Sequence, residues 1–300
     1  MKSLILIGGN RDKQKGPLLS FADCARKQGY NVHVLTEPWH MSLPAHDGRT
    51  FGDHLEVSGH SYVTLESLTP AAIEPYITGD SLCVLVNAIW LIRDDIIQLM
   101  SGRILNYHNA MLPEERGAAA YSWKILSGTR VGAISLHHVV EALDQGNIVY
   151  EQPIEFPHDC RTPLDFYAFM EEQEALMFSE FLRKRDNKDL PVERIQNEAE
   201  ALYWPRLNTE SHGFIDWAWT CDEIATFAAA FDEPHIGAST FYGQSKIRLK
   251  DVSVLDRSIN YHPFQAGIVV RKSVGKIFIA AKQGLLEARL CSIHSDTEKI

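Results

Sequence analysis

The opening stretch of the chain constrains the fold more than any other. Residues 4–7 (Leu-Ile-Leu-Ile) form a continuous apolar run that stops at Gly8-Gly9, as expected of a strand buried on both faces. Pro17 then opens a segment with helical spacing of apolar residues, which runs to Gln28 and meets Gly29 as its stop. A second strand is expected over residues 31–36. Strand, helix and strand in so short a span predict neighbouring parallel strands joined by a right-handed crossover. Strands over 82–86, 103–107, 131–139 and 147–154 extend the series, with helices over 94–100 and 117–126. The class is therefore α/β with a mostly parallel sheet.

Thr162-Pro163 starts a long helix, with threonine as cap and proline in the first turn. Met170, Leu176, Met177, Phe178, Phe181 and Leu182 supply its apolar face, and Arg183 to Arg185 suit the negative end of its dipole. Tyr203-Trp204-Pro205-Arg206 reads as a hinge, which divides the chain into residues 1–203 and residues 204–300. Beyond it, Thr220 and Glu223 have capping-box spacing before a short helix to Phe231. Alternating segments then predict short strands and a small β-barrel.

The 300 residues suffice for one large and one smaller domain. A net charge of −10 disfavours extended, sequence-independent contact with nucleic acid. The five cysteines (Cys24, Cys83, Cys160, Cys221 and Cys291) are odd in number and scattered, without a CxxC pair. That usage argues against a disulfide framework or a zinc ribbon and favours the cytoplasm. The N-terminal apolar run is too short for a signal peptide, and no stretch is long enough to span a membrane. Oligomeric state leaves no signature.

Polar residues at the end of a predicted buried strand carry the chemistry. Asn106 and His108 alternate with Tyr107, so they share one face of that strand, with Cα atoms ~6.5–7 Å apart. Asp144-Gln-Gly146 forms a turn between two later strands. His137-His138 is a poor metal pair, because adjacent strand residues point to opposite faces, and no metal site is expected. The loop from Gly8 to Gly16 lacks both GxGxxG and P-loop patterns; it reads as a solvated turn, with an anion at the following helix N-terminus as the alternative. Trp204, Trp217 and Trp219 read as packing residues, with stacking on a sugar or base as the alternative.

Asn106-Tyr107-His108, then Leu112-Pro113 and Arg116-Gly117, then Asp144-Gln145-Gly146 resemble the signature of the folate-dependent formyltransferases in order and spacing. Phe214-Ile-Asp-Trp217 and the strand-rich tail resemble the C-terminal part of methionyl-tRNA formyltransferases and sugar N-formyltransferases. The resemblance implies a Rossmann-like formyltransferase domain followed by a smaller, mainly β, OB-like domain. It departs from the family at Asn109-Ala110, at Glu114-Glu115 and in the opening loop, which bear on the acceptor more than on the chemistry.

The resemblance further implies transfer of a formyl group from 10-formyltetrahydrofolate to a primary amine, with Asn106, His108 and Asp144 as catalytic residues. Asn106 would donate to the oxyanion, while His108 and Asp144 share the proton work. The folate slot is expected between one segment with Ile89, Trp90, Leu91 and Ile92 and another with Ser135, His137, Val139 and Val140. The acidic balance and the atypical first loop favour a small-molecule amine, with a nucleotide-linked amino sugar first. Two rivals stand beside it: a methionyl-tRNA formyltransferase, for which Lys246, Arg248, Lys250, Arg271, Lys272 and Lys276 offer a local basic patch, and a folate-binding module without catalysis.

Overall fold

The computed structural model describes residues 2–10, 16–45 and 47–294. Residues 11–15 of the first loop, and with them the alternative of an anion contact there, lie outside the described residues. In chain order the elements are β1 (Ser3–Gly8), α1 (Pro17–Lys27), β2 (Asn31–Thr36), α2 (Pro38–Met41), α3 (Phe51–Ser58), β3 (Ser61–Thr64), α4 (Pro70–Ile73), β4 (Ser81–Val86), α5 (Asp94–Met100) and β5 (Ile104–His108). There follow β6 (Arg116–Gly117), α6 (Ala120–Ser127), β7 (Val131–His138), β8 (Ile148–Glu155), α7 (Pro163–Asp186), β9 (Tyr203–Trp204), α8 (Thr209–His212) and α9 (Cys221–Ala230). The tail adds β10 (Ala238–Tyr242), β11 (Ser245–Asp256), β12 (Val269–Ser273), β13 (Lys276–Ala281) and β14 (Gly284–His294).

The chain divides into two compact units, which interleave in sequence. The first holds Met1–Gly117, Val131–Phe156 and Tyr167–Trp204, and the second holds Ala118–Arg130, Pro157–Phe166 and Pro205–Ile300.

The first unit is built on a seven-stranded sheet in the order β3-β2-β1-β4-β5-β7-β8. The first five strands are parallel, as the early strand–helix–strand pattern predicts. β7 and β8 close the sheet in antiparallel fashion, with Asn106 opposite His137 and His108 opposite Ser135. Both faces of β1 are buried, which accounts for its unbroken apolar run. Ile5 and Ile7 pack with Leu35, Ile73, Cys83, Ile96 and Ile104 on one side. On the other side Phe21 of α1 stacks on Phe178 of α7 at 4.0 Å and meets the edge of Tyr107 at 5.2 Å. Each such side chain, fully withdrawn from water, contributes about 1.5–3 kcal/mol.

The expected apolar face of α7 needs one correction. Met170, Met177, Phe178, Phe181 and Leu182 are buried, but Leu176 is 58 % exposed. The buried stripe steps by three or four residues from Met170 through Glu174 to Met177 and Phe178, so position 176 falls off it. The helix expected over 117–126 begins later, at Ala120. Gly117 instead pairs with Trp204, and Ala119 takes a left-handed φ of 61° before the first turn.

In the second unit, α6 is tied to α9 by the Ser122 hydroxyl donating to the Ala230 carbonyl over 2.8 Å. The capping box of Thr220 and Glu223 is formed. The strands make an antiparallel sheet in the order β10-β11-β14-β13-β12, whose edge strands are not paired with each other among the described residues. Trp217 donates to the Thr240 hydroxyl at 2.8 Å, and Trp219 packs on Phe227 with ring centroids 4.9 Å apart. Trp204, in the first unit, donates to the Glu114 carbonyl at 3.2 Å. Among the described residues no helix is long and apolar enough to cross a membrane.

Candidate active site

β5 ends at the carboxyl edge of the parallel sheet, where open α/β sheets bind ligands. Its alternation sends Tyr107 toward the helical layer, where its hydroxyl donates to Glu174, and sends Asn106 and His108 to the opposite side. The antiparallel neighbour β7 adds His137 directly beside Asn106. The loop after β7 brings Asp144 to the same place at a φ of +56°. This left-handed conformation is uncommon for a residue with a side chain and is held here by its surroundings.

Two glycines make the approach possible. A Cβ on Gly146 would lie 1.9 Å from the His138 carbonyl oxygen, and one on Gly117 would lie 2.1 Å from that of Trp204. Gly117 also uses its backbone N–H, which donates to Asp144 Oδ2 at 2.9 Å. The pairing of Arg-Gly with Asp-x-Gly thus has a steric cause and an electrostatic one.

The groups form one connected cluster. Asn106 Nδ2 donates to His137 Nε2 at 3.1 Å and reaches Asp144 Oδ1 at 3.4 Å. His137 Nδ1 lies 2.9 Å from the His138 carbonyl, which can only accept, so Nδ1 carries a proton, and Nε2 lies between Asn106 Nδ2 at 3.1 Å and Asp144 Oδ1 at 3.6 Å. His108 Nε2 lies 2.7 Å from the Glu115 carbonyl, which likewise fixes its proton on Nε2. The Nδ1 lone pair of His108 is left facing Asp144 Oδ2 at 4.0 Å.

The electrostatics agree with these roles. Burial pushes the His108 pKa below its ordinary 6.5 and outweighs the opposing pull of the Asp144 charge and the Glu115 carbonyl. For Asp144, burial resists ionisation, but the His137 contact, the His108 ring and the Gly117 N–H together hold the carboxyl below its usual range. At neutral pH the site therefore holds a neutral imidazole beside a carboxylate.

A cleft opens over this cluster. Asn106, His137 and Asp144 lie on its lining, together with Trp90, Leu91, Ile92, Val139 and Val140. Trp90 and Ile92 also lean on the core of the sheet, whereas Leu91 is exposed at the rim. Two of the residues expected to bind cofactor fall outside the lining. Ile89 is 52 % exposed, and Ser135 is fully buried with its hydroxyl on the Ala110 carbonyl and Glu151. Leu85, Ala88, Glu141, Ala142 and Leu143 complete the wall. Gln196, in a polar stretch without any motif, reaches the backbone on either side of Gln145; only its place in space marks it. His138 turns away to Glu193 at 2.8 Å, so the two adjacent histidines do not share a site. Among the described residues no group of three or more His, Cys, Asp and Glu is placed to hold a metal ion.

Comparison with known proteins agrees with this architecture. A formyl transferase family model matches residues 66–182, and a model of the formyl transferase C-terminal domain matches residues 208–296, together more than half of the chain. Among solved structures, the fold is similar to an N-formyltransferase from Helicobacter canadensis in complex with folinic acid and dTDP-3-aminofucose, at a TM-score of 0.72 and 16 % identity over 97 % of this chain and 100 % of that one. It is also similar to WlaRD, a sugar 3N-formyl transferase with dTDP and 5-N-formyl-THF, at 0.67 and 18 % identity over 100 % of both chains. Methionyl-tRNA formyltransferase from Clostridium thermocellum is similar at 0.59 and 15 % identity over 97 % of this chain and 99 % of that one.

Proposed function

The chain belongs to the formyltransferase family, and we propose that it moves the formyl group of 10-formyltetrahydrofolate to the primary amine of a small molecule, a nucleotide-linked amino sugar first among them. The observation that carries this reading is the meeting of Asn106 and Asp144 on the lining of one cleft, with the His108 ring 4.0 Å behind the Asp144 carboxylate. The amine attacks the formyl carbon and an oxyanion forms. Asn106 stabilises that charge by giving up its longer contact, the 3.4 Å one to Asp144, and turning that N–H to the oxyanion. His108 takes the amine proton at Nδ1, the one ring nitrogen left unprotonated by the Glu115 carbonyl. The Asp144 carboxylate stabilises the resulting imidazolium. The same proton then reaches the departing folate nitrogen, and the carbonyl reforms. In this scheme His108 is the base and Asp144 its partner.

Trp90, Ile92, Val139 and Val140 supply apolar walls for a flat pterin ring, and the backbone of residues 140–144 supplies polar groups for its edge. The preference for a small acceptor draws on the second unit. There Lys246 and Arg248 both reach Glu210, Lys250 pairs with Glu233, and Lys276 pairs with Glu287. Arg271 and Lys272 lie over the rings of Phe278 and Tyr242. Cations already engaged in this way offer little to a nucleic-acid backbone. The unpaired cysteines suit a cytoplasmic setting, which belongs to the same proposal.

The test is a panel of amines incubated with enzyme and 10-formyltetrahydrofolate, read as the mass gain of one formyl group. Formylation of an amino sugar nucleotide supports the reading, and formylation of methionyl-tRNA alone overturns the acceptor assignment. A protein that binds folate and formylates nothing is a binding module.

A further inference from the structure

Asp144 depends on a third layer of contacts, and these converge on one side chain. Gln196 is 6 % exposed, and its Nε2 donates to two backbone carbonyls at once, Asp144 at 2.7 Å and Gly146 at 2.8 Å. Its Oε1 accepts from Arg116 Nε at 3.0 Å. Arg116, itself 4 % exposed, grips Glu198 with the two other guanidinium nitrogens, at 3.0 and 2.6 Å. The residue after Arg116 is Gly117, whose N–H donates to the Asp144 carboxylate. One carboxamide therefore joins the loop that carries the carboxylate to the segment that holds its Oδ2, the oxygen facing His108.

We propose that Gln196 is the positioning residue of this site: it clamps the left-handed Asp144 loop and, through Arg116, the Gly117 N–H, so that the carboxylate faces the His108 ring. This inference rests on the reading of His108 and Asp144 as the working pair. The chemistry selects glutamine. Two carbonyls demand two donors, and an arginine N–H demands an acceptor; a primary carboxamide presents that set. The amide orientation follows from the partners without ambiguity, since arginine only donates and carbonyls only accept. Glutamate here would turn an oxygen toward two carbonyl oxygens. Methionine would fill the space and leave both carbonyls unpaired. Either change releases a backbone conformation that a residue with a Cβ rarely holds unaided.

The test reads His108 directly, by NMR titration of its imidazole in protein carrying labelled histidine. His108 faces Asp144, His137 and Glu115, and the Asp144 carboxylate and the Glu115 carbonyl raise its pKa against the effects of burial and His137. In Gln196→Met the carboxylate drifts, and His108 titrates at lower pH than in wild type, in the direction set by an Asp144→Asn reference. Turnover falls by ~10–100-fold, as is usual when an outer partner of a site is removed, while KM for the formyl donor stays close to wild type. Gln196→Glu is the more damaging change despite its matching shape.

An unchanged His108 titration in folded Gln196→Met overturns the proposal, as does a loss of turnover equal to the unfolded fraction. Should both variants fail to fold, the wild-type protein still decides. Its Gln196 side-chain amide protons are expected to exchange slowly, and exchange at the rate of surface glutamines overturns the proposal. Failure of the functional reading looks different: wild-type protein formylates no amine, yet His108 still responds to Gln196.

Discussion

His108 Nδ1 faces Asp144 Oδ2 across 4.0 Å, while Nε2 on the far side of the ring donates to the Glu115 carbonyl at 2.7 Å. The ring is thus held as a base pointing at a carboxylate. Because burial lowers the His108 pKa from 6.5, activity is lost only as pH falls through a lower value, and the acid limb of kcat/KM lies below 6.5. Asp144→Asn removes the charge that partly offsets burial, so the limb moves to still lower pH while turnover drops by ~10²–10⁴-fold. Folate binding is largely retained. A pH–rate profile of both proteins, with folinic acid binding as the control, checks this; a limb that does not move in the variant sinks the pairing.

Gly146 sits under the His138 carbonyl with no room for a methyl group, since an added Cβ would come within 1.9 Å of that oxygen. Gly146→Ala forces backbone away from backbone and is expected to cost ~1–3 kcal/mol of stability, as overpacking does. The displaced segment is the one that carries Asp144, so activity falls further than stability explains. Denaturant midpoints and initial rates, measured on the same preparations, separate the two effects. Full activity in a stable alanine variant would rule out the tight approach.

Glu174 lies on the buried stripe of α7 and accepts a hydrogen bond from Tyr107, the residue between Asn106 and His108. Burial, helped by the nearby Glu171 and opposed by the Tyr107 hydroxyl, pushes its pKa up from 4.5 to about 8. The sign follows from linkage. The unfolded chain gives up this proton at lower pH than the folded one, so the contribution is intact below 4.5 and is lost as pH rises toward 8. The slope approaches ~1.4 kcal/mol per pH unit inside that window. Glu174→Gln removes it, so urea melts at pH 5 and pH 8 are expected to show the variant gaining on wild type at the higher pH. Parallel behaviour at both values would mean that Glu174 is ionised in the fold.

What could be read from the residues alone follows the reach of each physical signal. The apolar run of β1 and the threonine-capped helices are local patterns, and they appear where expected. The helix α3 was not among the expected elements, although Thr50 and Asp53 have the spacing of the capping box they form. Asn106 and His108 follow from strand alternation, but their meeting with Asp144 was placed by family resemblance rather than by periodicity. Glu174 and Gln196 were not legible. One is a carboxyl on an apolar stripe, and the other a glutamine in a polar tail, and the hydrogen-bond partners that give them their roles lie 50 or more positions away. Strand alternation puts Ser135 on the face of His137, as the regular pairing of the two with His108 and Asn106 shows, but its hydroxyl is taken up by the Ala110 carbonyl and Glu151, and it does not line the cleft.

The ion pairs of the second unit bear on the tRNA alternative. Glu210 takes both Lys246 and Arg248, and Lys250 and Lys276 each have a carboxylate of their own. Binding a phosphate backbone would require breaking those pairs to replace them, and the net gain per contact would be small. Binding that used Z free cations would weaken with a log–log salt slope of roughly −0.7Z to −0.9Z. Filter binding of methionyl-tRNA at two salt concentrations is therefore expected to give weak retention with a shallow slope. Glu210→Gln, which frees the partly exposed Lys246 while Arg248 stays buried, is expected to increase both retention and slope. Tight, steeply salt-dependent binding by the wild-type protein would mean that these cations are available after all, and the acceptor would then be sought among tRNAs.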